Sequence, residues 1–120
     1  MGAWALPMSR FPLCIALAAV AASSAAYPQT EAFKSGNALL RECVSSNEVF
    51  RASCTAYIVG VVDSVESFRA NNGNTPCAPR TVEAGQLRDV VVKFLQENPT
   101  QRDAPAAVIV TVAYAKAWGC

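Results

Sequence analysis

Residues 48–70 carry apolar side chains three and four positions apart, and this stripe constrains the fold more than any other feature of the chain. Side chains at that spacing lie on one face of an α-helix, so the pattern predicts a long helix with one face in a core. Ser46 or Asn47 precedes the stripe and can cap the first turn. The run of residues 54–63 joins the stripe to a cysteine and to the carboxylate of Asp63. The stripe contains Phe50, Cys54, Tyr57, Ile58, Val61, Val65 and Phe68.

Two shorter helices are predicted on either side of this one. The first runs from about residue 36 to residue 44 and places its apolar residues on one face. The other begins near residues 81–83 and ends at Asn98, because Pro99 disfavours helical backbone in the residue before it. The side chains expected in the core from these two helices are Leu39, Leu40, Cys43, Val44, Leu87, Val90, Val91, Phe94 and Leu95.

The last predicted helix begins near residues 103–106, where Pro105 suits a first turn, and runs to about residue 118. Residues 108–112 are rich in β-branched side chains, so a strand is the open alternative for this segment. Residues 90–92 are three valines, but polar residues interleave around them at a helical period, which favours a helix there. The side chains expected to face inward from the last helix are Ala106, Ile109, Val110, Ala113 and Ala117.

Residues 1–26 are predicted to be a secretory signal peptide. Arg10 supplies its positive charge, residues 11–22 form an apolar segment too short to span a bilayer, and residues 24–26 offer the small side chains of a cleavage site. Cleavage there leaves one exported domain, residues 27–120, which we expect in the periplasm. No second apolar stretch of spanning length follows, so no membrane contact is expected after cleavage.

The 94 residues that remain are enough for one small domain with one core. The whole chain has ten Lys and Arg, nine Asp and Glu, and no histidine. Because Arg10 lies in the predicted leader, the exported domain has equal numbers of basic and acidic residues and no basic run. A protein that binds nucleic acid or an anionic membrane would need a positive stripe, so neither partner is expected.

Four cysteines, Cys43, Cys54, Cys77 and Cys120, remain once the leader and its Cys14 are removed. An even number of cysteines in a small exported domain indicates two disulfides. Their spacings of 11, 23 and 43 residues include no close pair of the kind that binds zinc, and the chain lacks histidine, so no metal site is predicted. No cofactor is predicted either. The predicted fold class is all-α, a small four-helix domain stapled by disulfides.

Cys54 could act as a nucleophile, and Asp63 with Asp89 as a general acid and base, but the sequence favours structural roles for all three. No histidine is present to activate Cys54, and an oxidising compartment favours its crosslinking. Carboxylates on packed helices more often accept structural hydrogen bonds or remain solvated. No catalytic residue is therefore predicted. Gly60 and Gly85 are interpreted as places where helices approach closely, since no phosphate-binding glycine pattern surrounds them.

The segment 71–78 ends the long helix with asparagine, glycine and proline, all of which favour turns. We expect it to be the element presented to a protein partner, and the alternative is an ordinary surface turn. Tyr114 and Trp118 could anchor an interface or pack in the core. The residues predicted to bind a partner are Asn71, Asn72, Gly73, Asn74, Thr75 and Pro76.

Short motifs follow one another along nearly the whole exported domain. They are Gly36-Asn37, Leu39-Leu40 and Cys43; residues 54–60, including Tyr57 and Gly60, with Asp63; Cys77-Ala78-Pro79; Gly85-Gln86-Leu87; Asp89-Val90-Val91; Phe94-Leu95; Pro99; Arg102; Ala106-Ala107; and Trp118-Gly119-Cys120. Their order and spacing resemble those of the Rap/Tai family of immunity proteins, which protect bacteria from peptidoglycan-cleaving toxins delivered by type VI secretion. Glu83 stands where the family often has threonine, and Gly119 where it often has proline; Glu83 and Gln86 can still satisfy the first-turn amides.

This resemblance implies a compact, all-helical and often dimeric protein that blocks an amidase by occupying its catalytic cleft and needs no catalytic group of its own. It also implies that Cys43 pairs with Cys54 and Cys77 with Cys120, one of three possible connectivities. The alternative from a different class is a periplasmic stress or chaperone-like binding protein without a toxin partner. The lack of histidine argues against a conformational switch near neutral pH.

Overall fold

The chain folds into four α-helices joined by short connections in a computed structural model that describes residue 2 and residues 33–120. The helices are α1 (Gly36–Cys43), α2 (Glu48–Asn71), α3 (Ala84–Glu97) and α4 (Ala106–Trp118), and a 3-10 turn (Pro99–Gln101) precedes α4. Within the described part of the chain no strand is present, and only an isolated bridge joins Ser35 to Pro105. The predicted all-α, four-helix class is confirmed. The predicted signal peptide, residues 1–26, lies outside the described residues.

The helix ends follow from local chemistry. The side chain of Asn47 caps α2, because its Oδ1 accepts a hydrogen bond of 2.8 Å from the amide of Val49. The backbone amide of Glu83 donates to Oε1 of Gln86 at 2.8 Å, which is half of a capping box at the start of α3. Gly119 ends α4 in the left-handed conformation, with φ of 73°.

Residues 108–112, for which a strand was the alternative, lie inside α4. Burial in this helix recurs at helical spacing, since Ala106, Ile109, Val110 and Ala113 are all buried. A strand would place every second residue of the segment on the same side, and the apolar residues that flank it would lose their place in the core. Tertiary packing therefore overrides the β-branched preference.

All four helices contribute to one core. Its fully buried side chains include Leu39, Ile58, Val91, Leu95 and Val110, none more than 1% exposed. The Cys43 and Cys54 side chains lie in the same cluster. Because each buried Leu, Ile or Val contributes about 1.5–3 kcal/mol relative to an exposed one, this core is the main source of stability.

The apolar stripe of α2 was only partly predicted. Cys54, Ile58 and Val62 are buried, but Phe50 and Phe68 are 51% and 71% exposed, contrary to prediction. The reason is geometric. The two phenylalanines are 18 residues apart, or five full turns, so they share an edge of α2 that lies roughly 80° from the middle of the buried face.

Two other core predictions were also wrong. Val44 is 56% exposed because α1 ends at Cys43 and the chain leaves the helix face there. Ala117 is exposed near the end of α4, while Tyr114, three residues earlier, is only 3% exposed. The small side chain of Ala117 was therefore a weaker indicator of which face of α4 is buried than the larger aromatic side chain of Tyr114.

The segment between α3 and α4 is attached to the beginning of α1 by backbone hydrogen bonds. The amide of Gly36 donates to the carbonyl of Ala104 at 3.0 Å, and the amide of Asn37 donates to the carbonyl of Arg102 at 2.9 Å. These bonds satisfy first-turn amides of α1, which have no partner within the helix. They also hold α1 against the segment that leads into α4.

Close approach occurs at Gly36 and not at the two glycines for which it was predicted. A Cβ on Gly36 would lie 2.8 Å from the carbonyl oxygen of Arg102 and in contact with the Ile109 side chain. At Gly60 and Gly85 a Cβ would meet nothing within 4 Å. The close-approach interpretation of Gly60 and Gly85 is therefore wrong, since neither glycine is required by the packing of the described residues.

Candidate partner-binding loop

Six consecutive exposed residues, 71–76, comprise the last residue of α2 and the beginning of its connection to α3, and they are the residues predicted to bind a partner. Gly73 adopts the left-handed conformation, with φ of 74°, directly after α2. Its amide donates to the carbonyl of Ala70 at 3.0 Å, and the amide of Asn74 donates to the carbonyl of Arg69 at 2.9 Å. These bonds turn the chain back along the end of α2 and fix the beginning of the loop.

Two side chains hold the same part of the loop. The guanidinium of Arg69 donates to the carbonyl of Thr75 at 3.0 Å. The amide side chain of Asn72 donates to the carbonyl of Phe68 at 2.8 Å, which caps the last turn of α2. The side chains of Asn71, Asn74 and Thr75 are exposed and make no hydrogen bond to the described residues.

The far end of the loop is held by Glu66 of α2 and Tyr114 of α4. The carboxylate of Glu66 accepts a hydrogen bond of 3.0 Å from the amide of Cys77 and one of 2.7 Å from the phenol of Tyr114. The same phenol oxygen accepts a hydrogen bond of 3.0 Å from the amide of Ala78. One carboxylate and one phenol therefore satisfy two successive backbone amides, which are costly to leave unpaired when shielded from water.

This arrangement changes the acidity of the phenol. Burial of Tyr114 raises its pKa from 10.0 to about 12, and the hydrogen bond to Glu66 acts in the same direction. Both effects disfavour the phenolate, because it would be poorly solvated and would face a carboxylate. Tyr114 therefore stays neutral and keeps donating to Glu66 over the whole physiological pH range.

Two disulfides complete the attachment of the helices and the loop. Cys43 pairs with Cys54 and ties the end of α1 to α2, with the Cα atoms 5.1 Å apart. Cys77 pairs with Cys120 and ties the end of the loop to the residue after Gly119, with the Cα atoms 5.7 Å apart. The pairing implied by the family resemblance is confirmed. Its second member fixes the loop to α4 covalently, beside the Tyr114 hydrogen bonds.

Two shallow grooves border the loop. The larger, of about 480 Å³, lies between α2 and the loop and is lined by Asp63, Glu66 and Asn74 among others. The other, of about 400 Å³, continues from Asp63 and Glu66 past Pro76 to Leu87 at the start of α3. The two grooves share Asp63, Glu66 and Pro76, so they adjoin each other beside the loop.

The remaining residues singled out from the sequence are spread over the surface. Asp63 lies exposed on α2 beside the grooves, and Asp89 lies exposed on α3 with the guanidinium of Arg88 at 3.0 Å. Gln86 caps α3 through Glu83. Tyr57 is half-buried, and the ammonium of Lys34 lies 5.0 Å from the centre of its ring. Trp118 is half-buried and its ring lies 5.1 Å from that of Tyr114.

Sequence reasoning missed the roles of Glu66 and Arg69. Both lie on α2, and both act on loop residues that follow within 11 positions. A charged residue near the end of a helix can hydrogen-bond to backbone groups of the turn-rich segment that follows. This signal could have pointed to Arg69. The hydrogen bond between Tyr114 and Glu66 joins residues 48 positions apart, and no local sequence pattern predicts it.

Within residues 33–120, no group of three or more His, Cys, Asp or Glu side chains is placed to hold a metal ion. In the same part of the chain, no helix has the length and hydropathy needed to cross a bilayer. The described features are a buried helical core, two disulfides and a loop held at both ends. They define a small, disulfide-stapled helical domain with an exposed loop that is held at both ends.

The family model of the Rap1a immunity proteins matches residues 35–120. The chain belongs to this family of immunity proteins, which indicates a protein effector as its partner. No curated protein and no solved structure matches the chain. Proteins of this family are often periplasmic, and the two disulfides fit an oxidising compartment.

Proposed function

We propose that this protein is a periplasmic immunity protein that binds and blocks a peptidoglycan amidase delivered by type VI secretion. Membership of an immunity family supports binding to an effector, and the resemblance of the motifs supports an amidase as that effector. The observation that supports a particular binding surface is the exposed loop of residues 71–76. This loop is held at both ends by α2, α4 and a disulfide.

Inhibition by occupying a cleft needs an element that protrudes and keeps its shape. A flexible loop would lose conformational entropy on binding, and each ordered side chain or backbone segment would lower the affinity. In this protein the loop is already ordered by Arg69, Glu66 and Tyr114. The binding conformation is therefore prepared before the partner arrives.

The chemistry of the loop also suits a cleft that receives peptide backbone. Residues 71–76 carry no charge, and the three asparagines and one threonine can both donate and accept hydrogen bonds. An amidase that cleaves the peptides of peptidoglycan must accommodate amide groups at its catalytic centre. A polar loop with amide side chains can fill such a cleft without burying an unpaired charge.

The test is whether the oxidised, exported protein captures and inhibits an amidase. It would be used as bait against secreted and periplasmic fractions of the source and of related strains, with mass spectrometry as the readout. We expect one stoichiometric peptidoglycan amidase whose cleavage of purified peptidoglycan stops at an equimolar ratio. Failure to retain any amidase, or full amidase activity in the presence of saturating protein, would reject the proposal.

A variant with two added positive charges on the loop tests whether the loop binds the amidase. Asn74→Arg with Thr75→Arg adds two positive charges at exposed positions whose side chains make no hydrogen bond to the described residues. We expect the affinity for the amidase to fall at least about 100-fold, as for bulky changes at the centre of an interface. Thr100→Arg with Gln101→Arg is the matched control, because it adds the same charge at exposed positions in the 3-10 turn. An equal loss of affinity in both variants would contradict a specific role of the loop in binding.

A further inference from the structure

The two disulfides lie in opposite environments. Cys43 and Cys54 are 5% and 0% exposed and belong to the hydrophobic core. Cys77 is only partly buried, and Cys120 is exposed. Thiol–disulfide exchange requires a thiolate to reach a disulfide sulfur, so access decides which of two disulfides reacts. Of the two disulfides in the described part of the chain, only Cys77–Cys120 includes an exposed cysteine.

The surroundings of the exposed bond add to this access. Cys120 follows the left-handed Gly119 and is held to α4 through one backbone hydrogen bond, from its amide to the carbonyl of Ala115 at 3.1 Å. On the other side, Pro76 and Ala78, which flank Cys77, both line the groove of about 400 Å³. A reductant can therefore approach Cys120 without unfolding a helix.

We infer that the Cys77–Cys120 disulfide is a site of reversible thiol–disulfide exchange with dithiol reductants, and that its redox state controls the order of the loop while the Cys43–Cys54 disulfide stays closed. A thiolate of the reductant attacks Sγ of Cys120, which breaks the bond to Cys77 and forms a mixed disulfide. The second thiol of the reductant then attacks that mixed disulfide. Two electrons and two protons pass to the cysteines, which become thiols, and the reductant becomes a disulfide.

The consequence of this exchange is local. Cys77 is only partly buried against the core cluster and Cys120 is not part of it, so we expect reduction to leave the packing of the four helices in place. What remains at the end of the loop are the hydrogen bonds from the amides of Cys77 and Ala78 to Glu66 and Tyr114. Hydrogen bonds open by local fluctuation, whereas the covalent bond does not. The reduced loop therefore samples open conformations that the oxidised loop cannot reach.

Labelling of the folded, oxidised protein tests the site directly. The protein is incubated in native buffer with limiting dithiothreitol, quenched with N-ethylmaleimide at intervals, digested and mapped by mass spectrometry. We expect Cys77 and Cys120 to be labelled at least about tenfold faster than Cys43 and Cys54, because the buried pair reacts only after the domain opens. Labelling of the two pairs at equal rates, or of Cys43 and Cys54 first, would overturn the inference.

Hydrogen exchange tests the effect on the loop. The amides of Asn74, Cys77 and Ala78 should exchange at least about tenfold faster after selective reduction, while amides in the middle of α2 remain the slowest to exchange. The Cys77→Ser/Cys120→Ser variant should show the same fast exchange without reductant and no further response to it. Unchanged loop protection after reduction would refute the coupling between the disulfide and the loop.

An effect on inhibition rests in addition on the proposed function. If the loop occupies an amidase cleft, selective reduction should lower the affinity for that amidase at least about tenfold. The labelling and exchange experiments need no partner, so their results stand even if no amidase is found. Undiminished affinity of the reduced protein, with loop exchange accelerated, would show that the loop is not the element that binds the amidase, and the labelling and exchange results would stand.

Discussion

Replacing Gly36 by alanine is the sharpest test of how α1 is held to the rest of the domain. Gly36 is buried at the first position of α1, and its amide donates to the carbonyl of Ala104. An added methyl group would lie 2.8 Å from the carbonyl oxygen of Arg102. That oxygen cannot move aside freely, because it accepts a hydrogen bond of 2.9 Å from the amide of Asn37.

The expected change in the free energy of unfolding follows from three terms. Forcing a methyl group into a packed site costs about 1–3 kcal/mol. If α1 moves to relieve the contact, the two hydrogen bonds made by Gly36 and Asn37 lengthen, and each contributes about 0.5–1.5 kcal/mol. The higher helix propensity of alanine returns less than about 1 kcal/mol. We therefore expect Gly36→Ala to lower the free energy of unfolding by about 2–4 kcal/mol, a large part of the roughly 5–15 kcal/mol that holds a typical domain.

Urea unfolding of the oxidised protein, followed by circular dichroism, measures this change. Gly60→Ala is the matched control, since a Cβ there meets nothing within 4 Å and Gly60 lies inside α2. It should raise stability by about 0.5–1 kcal/mol, because glycine loses more backbone entropy than alanine in a helix. If the free energy of unfolding of Gly36→Ala lies within about 0.5 kcal/mol of the wild-type value, a difference typical of surface substitutions, the argument from close approach fails.

Three further outcomes are expected, each from urea unfolding. Replacing both Cys77 and Cys120 by serine should cost about 4 kcal/mol by the loop-entropy estimate for a separation of 43 residues, and a loss below about 1 kcal/mol would contradict that estimate. Tyr114→Phe should cost about 1–2 kcal/mol, because the amide of Ala78 loses its acceptor and Glu66 loses a donor; an unchanged midpoint would show that these bonds contribute nothing. The pKa of Tyr114 is raised to about 12, so the neutral phenol stabilises the fold below pH 10 and that stabilisation is lost as the pH rises towards 12. The difference between wild type and Tyr114→Phe should therefore be smaller at pH 11.5 than at pH 9, and a difference that grows with pH would reverse the assigned sign.

The helices could be predicted from the sequence because their signals are local. Periodic apolar residues, caps such as Asn47 and Gln86, and breakers such as Pro99 all act within a few positions of the element that they define. The direction that each helix faces was less predictable. Phe50 and Phe68 fit the apolar stripe of α2 as well as Ile58 does, and only the position of neighbouring helices decides which edge is covered.

The loop could be located from its composition, but the contacts that hold it could not. Arg69 and Glu66 act through backbone groups whose position depends on the path of the turn. Tyr114 lies on α4, 48 residues from Glu66 in sequence, and bonds to the Glu66 carboxylate and the Ala78 amide. Cysteine spacing alone allowed three pairings, and only the family resemblance selected the observed one. Interactions between distant segments carry no local signature, which is why this part of the site required the structure.

The order of the two disulfides along the chain has a consequence for how the protein matures. Cys43 pairs with the next cysteine, Cys54, and Cys77 pairs with the next, Cys120, so the bridges are consecutive and neither encloses the other. Under the proposed export, in which Cys14 belongs to the leader and is not part of the mature protein, an oxidising enzyme that joins cysteines in their order of arrival would produce this set directly. The first bridge can close on α1 and α2 alone, 11 residues apart, while the second must wait until α4 has emerged. Maturation along this route needs no disulfide isomerase.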